Sequence, residues 1–460
     1  MRQTKLALAL AMLSAAVMAA CGGSSSSSGD QVIKTKFSAQ VSFGDSLSDV
    51  GTYKVGTVKA LGGGVFNING DLTASNPALT GKNWTELLAA QLGLPAPCPA
   101  VTGLDGDVKS GFAVAATAHA GCTAYAEGGS RITNPVGTGN KLTGSPLGAL
   151  TVPVAAQIQK HLSLSGGKFK GDELVLVWAG VNDVFEQLAG LSANATAAGT
   201  AAGNTSFGNT LVALLAAGAT NPQAAAQAIG TALMTESANP NHTDASVVGA
   251  AVGAAAVQGG NSAVASATVY GPMVAKAQNA GAAAGAKAGA DYVAANAGSL
   301  VTAMATAATE LTALVQTQVI GKGANFVVVN NLPDVGTTPL GRSFDANTLA
   351  LVNMMVKTFN DTLNAGVGSN PKVAYVDAFA ASHDQATNPG PYGLTNVVTP
   401  ACNLAPAKNP LASSLACNGA NLAAGDVSHY AFSDEVHPTP FVHFLLASYV
   451  SKYMLQKGWL

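Results

Sequence analysis

Phe43-Gly44-Asp45-Ser46-Leu47-Ser48-Asp49-Val50-Gly51 follows the short apolar run Ala39 to Phe43 and breaks it with a glycine turn. The run reads as a buried strand, and the Gly-Asp-Ser turn presents Ser46 at its C-terminal end. That end is where open α/β sheets place their ligands. A serine hydroxyl is a weak nucleophile at neutral pH, so it needs an imidazole within hydrogen-bonding reach and a third group to orient that imidazole. Taken alone, the tetrapeptide Gly44 to Leu47 serves equally well as a helix cap, because Ser and Asp are common caps.

Three downstream segments bear on that choice. Asp434-Glu435-Val436-His437 sets a carboxylate three residues before an imidazole, and Pro438 follows as though opening a terminal helix from Thr439 to Leu455. One turn can hold such a pair together, whereas the plainer reading makes Asp434 a cap and His437 a solvated surface residue. Leu174 to Ala179 is an apolar strand ending in Gly180-Val181-Asn182-Asp183, which brings the Asn182 amide to a neighbouring strand end. An amide N–H aimed at a developing oxyanion lowers a barrier by roughly 3 kcal/mol; the alternative use of Asn182 is an Asx turn. Ala126-Glu127-Gly128-Gly129-Ser130 adds a backbone without side chains, whose N–H groups can approach a substrate closely.

These four blocks, in this order, resemble the GDSL esterase/lipase family, also called SGNH hydrolases after Ser, Gly, Asn and His. The resemblance spans most of residues 37–187 and 322–458 and is closest to the larger bacterial and plant-like members, whose first block also reads Gly-Asp-Ser-Leu-Ser-Asp. It implies that Ser46 is the nucleophile and that its own N–H joins an oxyanion hole with a block-two glycine, Gly128 or alternatively Gly129, and with Asn182. It also implies that Asp434 and His437 are the acid and base. Gly81-Lys82-Asn83-Trp84 and Val328-Val329-Asn330-Asn331-Leu332-Pro333 are similar to supporting stretches of the family. The implied activity is hydrolysis of carboxylic esters through an acyl-enzyme, without metal or organic cofactor. Phospholipids and acetylated carbohydrates fall within the same chemistry, and a non-catalytic surface lipoprotein that binds in the same cleft is the reading from a different class.

Other chemistries fit less well. Position 48 is Ser, so Ser46 has no Gly-x-Ser-x-Gly elbow. No His-Glu-x-x-His occurs, and His429, His437 and His443 with Asp434 match no familiar metal spacing. No basic run interleaved with aromatics is present, which argues against a nucleic-acid partner. Charged residues make up 10% of the chain with a formal net charge of −2, against about 25% charged in ordinary domains, so the surface is expected to be largely neutral and to tolerate apolar or membrane-proximal substrates.

Arg2 and Lys5, the apolar stretch Leu6 to Ala20 and then Cys21 read as a secretory signal over residues 1–21, too short to span a bilayer. Val17-Met18-Ala19-Ala20-Cys21 resembles a bacterial lipobox, which makes Cys21 the lipidation site. Residues 22–36, rich in Gly and Ser at their start, form a tether. The expected location is a lipid-anchored envelope protein, at the outer membrane or cell surface, or otherwise a secreted one. Cys98, Cys122, Cys402 and Cys417 remain, and an even count in an exported chain suggests disulfides. Of three possible pairings, Cys98 with Cys122 and Cys402 with Cys417 close the shortest loops.

Ser46 and His437 must share one domain, placed at residues 37–460. The strands Gln40 to Phe43, Leu174 to Ala179, Asn325 to Asn330 and Val373 to Val376 alternate with helical stretches. This predicts an α/β, three-layer sandwich with a central parallel sheet, of SGNH or flavodoxin-like type. From about 194 to 308 the composition shifts to Ala, Gly, Thr, Ser and Asn, reading as a mainly helical insertion with helices over Asn221 to Met234 and Val274 to Thr309. It is either a lid over the cleft or a structural ornament, and the polar residues interrupting every apolar stretch argue against a membrane hairpin.

Overall fold

The structure is a computed structural model describing residues 35–70, 79 and 81–460. The signal, Cys21 and nearly all of the tether lie outside the described residues. The strands are β1 (Gln40–Gly44), β2 (Val101–Asp105), β3 (Ala113–Ala118), β4 (Leu174–Trp178), β5 (Phe326–Asn330) and β6 (Val373–Val376). Four of them make a parallel sheet in the order β1-β4-β5-β6. Beyond β1, Ser42 bridges in parallel to Ala124, so the short segment around Ala124 extends that edge. The antiparallel hairpin β2–β3 was not anticipated, because its alternation is blurred by Gly103 and a run of alanines.

The sheet is buried on both faces, which is why its strands read as continuous apolar runs. Helices important to the site are α1 (Trp84–Gln91), α2 (Val154–Leu164), α3 (Val181–Ala216), α4 (Pro222–Ser237), α5 (Asp244–Ala256), α6 (Ala267–Ala313), α7 (Ala346–Val367), α8 (Ala378–Thr387) and α9 (Pro440–Gln456). Phe43, Val175, Val177 and Val329 turn one way into a core shared with Ile158 of α2, Val184 of α3, Met304 of α6 and Phe359 of α7. Leu174, Leu176, Trp178 and Val328 turn the other way onto Leu88 of α1 and Val450 of α9. The terminal helix begins later than expected: Thr439 caps it by accepting a hydrogen bond from the Val442 N–H, and Pro440, not Pro438, occupies its first turn.

The Ala/Gly-rich region is helical, but its ends do not coincide with the shift in composition. α3 runs unbroken from the block containing Asn182 into that region, and Leu300, Met304, Ala307 and Ala308 near the end of α6 belong to the main core. The far half of α3, with α4, α5 and the start of α6, forms a separate small core around Leu211, Leu215, Ile229 and Ala251. Between the two cores α3 and α6 lie side by side. A Cβ at Gly199 would sit 2.9 Å from the Gly285 carbonyl oxygen, and one at Gly285 equally close to that of Gly199, so this backbone approach needs glycine on both helices. Ala267–Lys322 is long and apolar enough to cross a membrane by length and composition, yet its two ends pack in these two cores.

Candidate active site

The turn after β1 starts at Gly44, whose φ is +151° and whose Cβ, if present, would lie 2.1 Å from the Trp178 carbonyl oxygen on β4. No other residue fits there. The buried Gln157 side chain grips the same glycine from α2, accepting from its N–H and donating to its carbonyl, each at 2.8 Å. Asp45 accepts from the Leu47 N–H at 3.1 Å. The Trp84 indole donates to Ser48 Oγ and the Asn83 amide donates to the Asp49 carbonyl, so the Gly-Lys-Asn-Trp stretch braces the loop behind the serine.

Ser46 Oγ lies 2.9 Å from His437 Nε2. On the far side of the ring, His437 Nδ1 lies 2.9 and 2.8 Å from the two carboxylate oxygens of Asp434. The backbone N–H groups of Ser414, Val436 and His437 donate to the same carboxylate at 2.7, 3.0 and 2.8 Å. Burial works to raise the Asp434 carboxyl, but the His437 charge and the hydrogen bonds from His437 and Ser414 outweigh it and hold the acid far below its ordinary range. Phe66 lies against the imidazole with ring centroids 4.9 Å apart, which limits its rotation. The structure pairs Cys402 with Cys417, three residues from Ser414, and so closes the loop that supplies one donor to Asp434. Cys98 pairs with Cys122 at the start of the edge segment leading to Gly128.

Asn182 occupies the first turn of α3, directly past the end of β4, and Gly44 and Trp178 are register partners. Its amide donates to the Ser130 carbonyl at 3.0 Å, and it lines the same cavity as Ser46 and His437. The second block is tied to the third once more through the Arg131–Asp183 ion pair at 2.9 Å and the Ile132 N–H on Asp183.

Gly128 does not present its N–H as expected. That N–H donates to Asp49 Oδ2 at 2.9 Å, and the Gly128 carbonyl accepts from the Tyr53 hydroxyl at 2.7 Å. Both polar groups are committed to the fold. Gly129, the alternative alignment, also lines the cavity, and among the described residues its N–H meets no hydrogen-bond acceptor. Sequence reasoning gave Asp49 no role, although it lies in the quoted block. Its other carboxylate oxygen accepts from the Gly51 and Thr52 N–H groups at 2.8 Å each, so a single buried side chain ties the serine loop to the glycine pair.

His443 is a buried residue of α9, and burial, with the nearby His437 charge, pushes its pKa down to about 3. Among the described residues no group of three or more His, Cys, Asp or Glu is arranged to hold a metal. Beneath the glycine pair, burial pushes the Glu127 carboxyl up to about 8, partly opposed by the Val152 N–H and reinforced by Asp49. A carboxyl that binds its proton more tightly when folded stabilises the fold fully below its unfolded value of 4.5, and that contribution is lost as pH rises through about 8. The melting temperature is therefore expected to fall between pH 5 and pH 8, and Glu127→Gln to flatten part of that fall. Parallel pH profiles for the parent and the variant would disprove this role for Glu127.

No family model matches the chain. A GDSL esterase/lipase of Arabidopsis thaliana is 29% identical over 138 residues, a stretch that makes up 28% of this chain and 37% of that protein. The match thus spans well under half of the relative's length. It relates this α/β chain distantly to an esterase/lipase-type hydrolase, and its two disulfides are compatible with an exported protein.

Proposed function

We propose that the chain is a serine hydrolase of carboxylic esters with an SGNH-type three-layer architecture, working through an acyl-enzyme. The observation that carries this reading is the continuous relay from Ser46 Oγ through both His437 nitrogens to a buried, multiply hydrogen-bonded Asp434. His437 Nε2 takes the Ser46 proton as Oγ attacks the ester carbonyl, while Asp434 fixes the ring tautomer and stabilises the imidazolium. The oxyanion is held by the N–H groups of Ser46 and Gly129 and by the Asn182 amide, which exchanges the Ser130 carbonyl for the charged oxygen. The imidazolium then protonates the departing alcohol. Water, deprotonated by the same histidine, cleaves the acyl-enzyme and restores Ser46.

Two measurements test this reading: hydrolysis of p-nitrophenyl esters, and stoichiometric labelling of Ser46 by a fluorophosphonate. Asn182→Ala should lower kcat by roughly 100-fold with a smaller change in KM, because its amide acts on charge present only in the transition state. An unchanged kcat would take Asn182 out of the oxyanion hole.

A further inference from the structure

The cavity that contains Ser46 and His437 has a volume of about 1530 Å³, beyond the roughly 300–1,000 Å³ of ordinary small-molecule sites. The excess follows the two long helices. On α3 it is lined by Phe185, Leu188, Ser192, Thr196 and Thr200, a helical stripe that begins one turn beyond Asn182 and leads away from it. Facing it on α6 are Gly289, Ala290, Val293 and Ala294, with Gly199 and Gly285 forming the floor where the backbones meet. From residue 185 to residue 200, at the helical rise, the trough is about 22 Å long. Neither helix contributes a charged side chain to it; hydroxyls are the polar groups present.

Building on the hydrolase reading above, we infer that this trough is the acyl subsite, and that the substrates are esters of long, unbranched fatty acids. The trough is continuous with Ser46, so the chain of an ester bound there can extend along it. A phosphate would need charged partners, which neither helix supplies along the trough, whereas a methylene chain needs only an apolar surface of sufficient length. Glycine and alanine supply that surface by leaving the floor free of protruding side chains. Burial of each added methylene is worth up to about fourfold in kcat/KM, so preference should climb with chain length.

The test uses the full chain and the ratio of kcat/KM for p-nitrophenyl palmitate to that for p-nitrophenyl butyrate. Ala290→Trp and Thr196→Trp place an indole in the trough from opposite walls, at solvent-exposed positions that tolerate bulk. Each is expected to lower the ratio at least about tenfold, since loss of a few buried methylenes accounts for that much. Ala295→Trp, exposed on the same helix but outside the cavity, is expected to keep the parent ratio. An unchanged ratio in both trough variants would overturn the inference. A separate readout is binding of cis-parinaric acid, a fluorescent fatty acid, and its displacement by palmitate. If the parent cleaves no ester yet binds parinarate at least about tenfold more tightly than the trough variants, the subsite stands and the hydrolase reading fails. If esters are cleaved without dependence on the trough, the reverse holds.

Discussion

Ser46→Ala is expected to leave a folded protein that cleaves p-nitrophenyl esters at least about three orders of magnitude more slowly than the parent. The substitution deletes Oγ and nothing that holds the turn. Gly44 is fixed by Gln157 and by its fit against Trp178, Leu47 by Asp45, and Ser48 by Trp84. Among the described residues, the one side-chain hydrogen bond lost is the 2.9 Å contact to His437. The melting temperature should therefore stay close to the parent's while fluorophosphonate labelling disappears. A folded Ser46→Ala variant with comparable turnover would move the nucleophile elsewhere and remove the basis of the proposed mechanism.

Asp434→Asn is expected to be as severe, lowering kcat by about 10⁴-fold at neutral pH. The two side chains are nearly identical in shape, so the loss comes from hydrogen-bond polarity. A carboxylate accepts from His437 Nδ1, which leaves Nε2 bare to receive the serine proton. An amide NH₂ aimed at Nδ1 turns that nitrogen into an acceptor and puts the hydrogen on Nε2, where it blocks proton transfer. One amide atom must also face the donors that Asp434 satisfies at Ser414 or at Val436 and His437, and an unpaired buried donor costs about 1–3 kcal/mol. A lowered melting temperature should accompany the loss of turnover. Full activity in this variant would show that His437 is oriented by other contacts and that Asp434 is only a loop brace.

The sheet and the three side chains that the structure brings together, Ser46, His437 and Asp434, were legible because each sits beside a strong local signal. β1 and β4 are apolar runs stopped by glycine, and Asp434 stands three residues before His437. What was not legible depends on partners distant in sequence. Gln157 lies in an ordinary amphipathic helix, 113 residues from the glycine it grips, and nothing around it in the chain marks the partner. Gly128 and Gly129 are equivalent in sequence; they differ because Asp49 reaches across 79 residues to the first and the second alone has a positive φ, +80°. The insertion boundaries were misplaced for another reason. Composition reports what a helix packs against, and α3 and α6 change neighbours along their lengths without ending. Glycines at 281, 285 and 289 looked like weak points of a helix, yet two of them line the cavity and all face the backbone of α3.

Ser46 and His437 are separated by 391 residues, a distance that matters during synthesis. A chain made from its N-terminus carries Ser46 early and gains His437 only 391 residues later. On the proposed mechanism, Ser46 has no base until the segment carrying Asp434 and His437 docks beside β1.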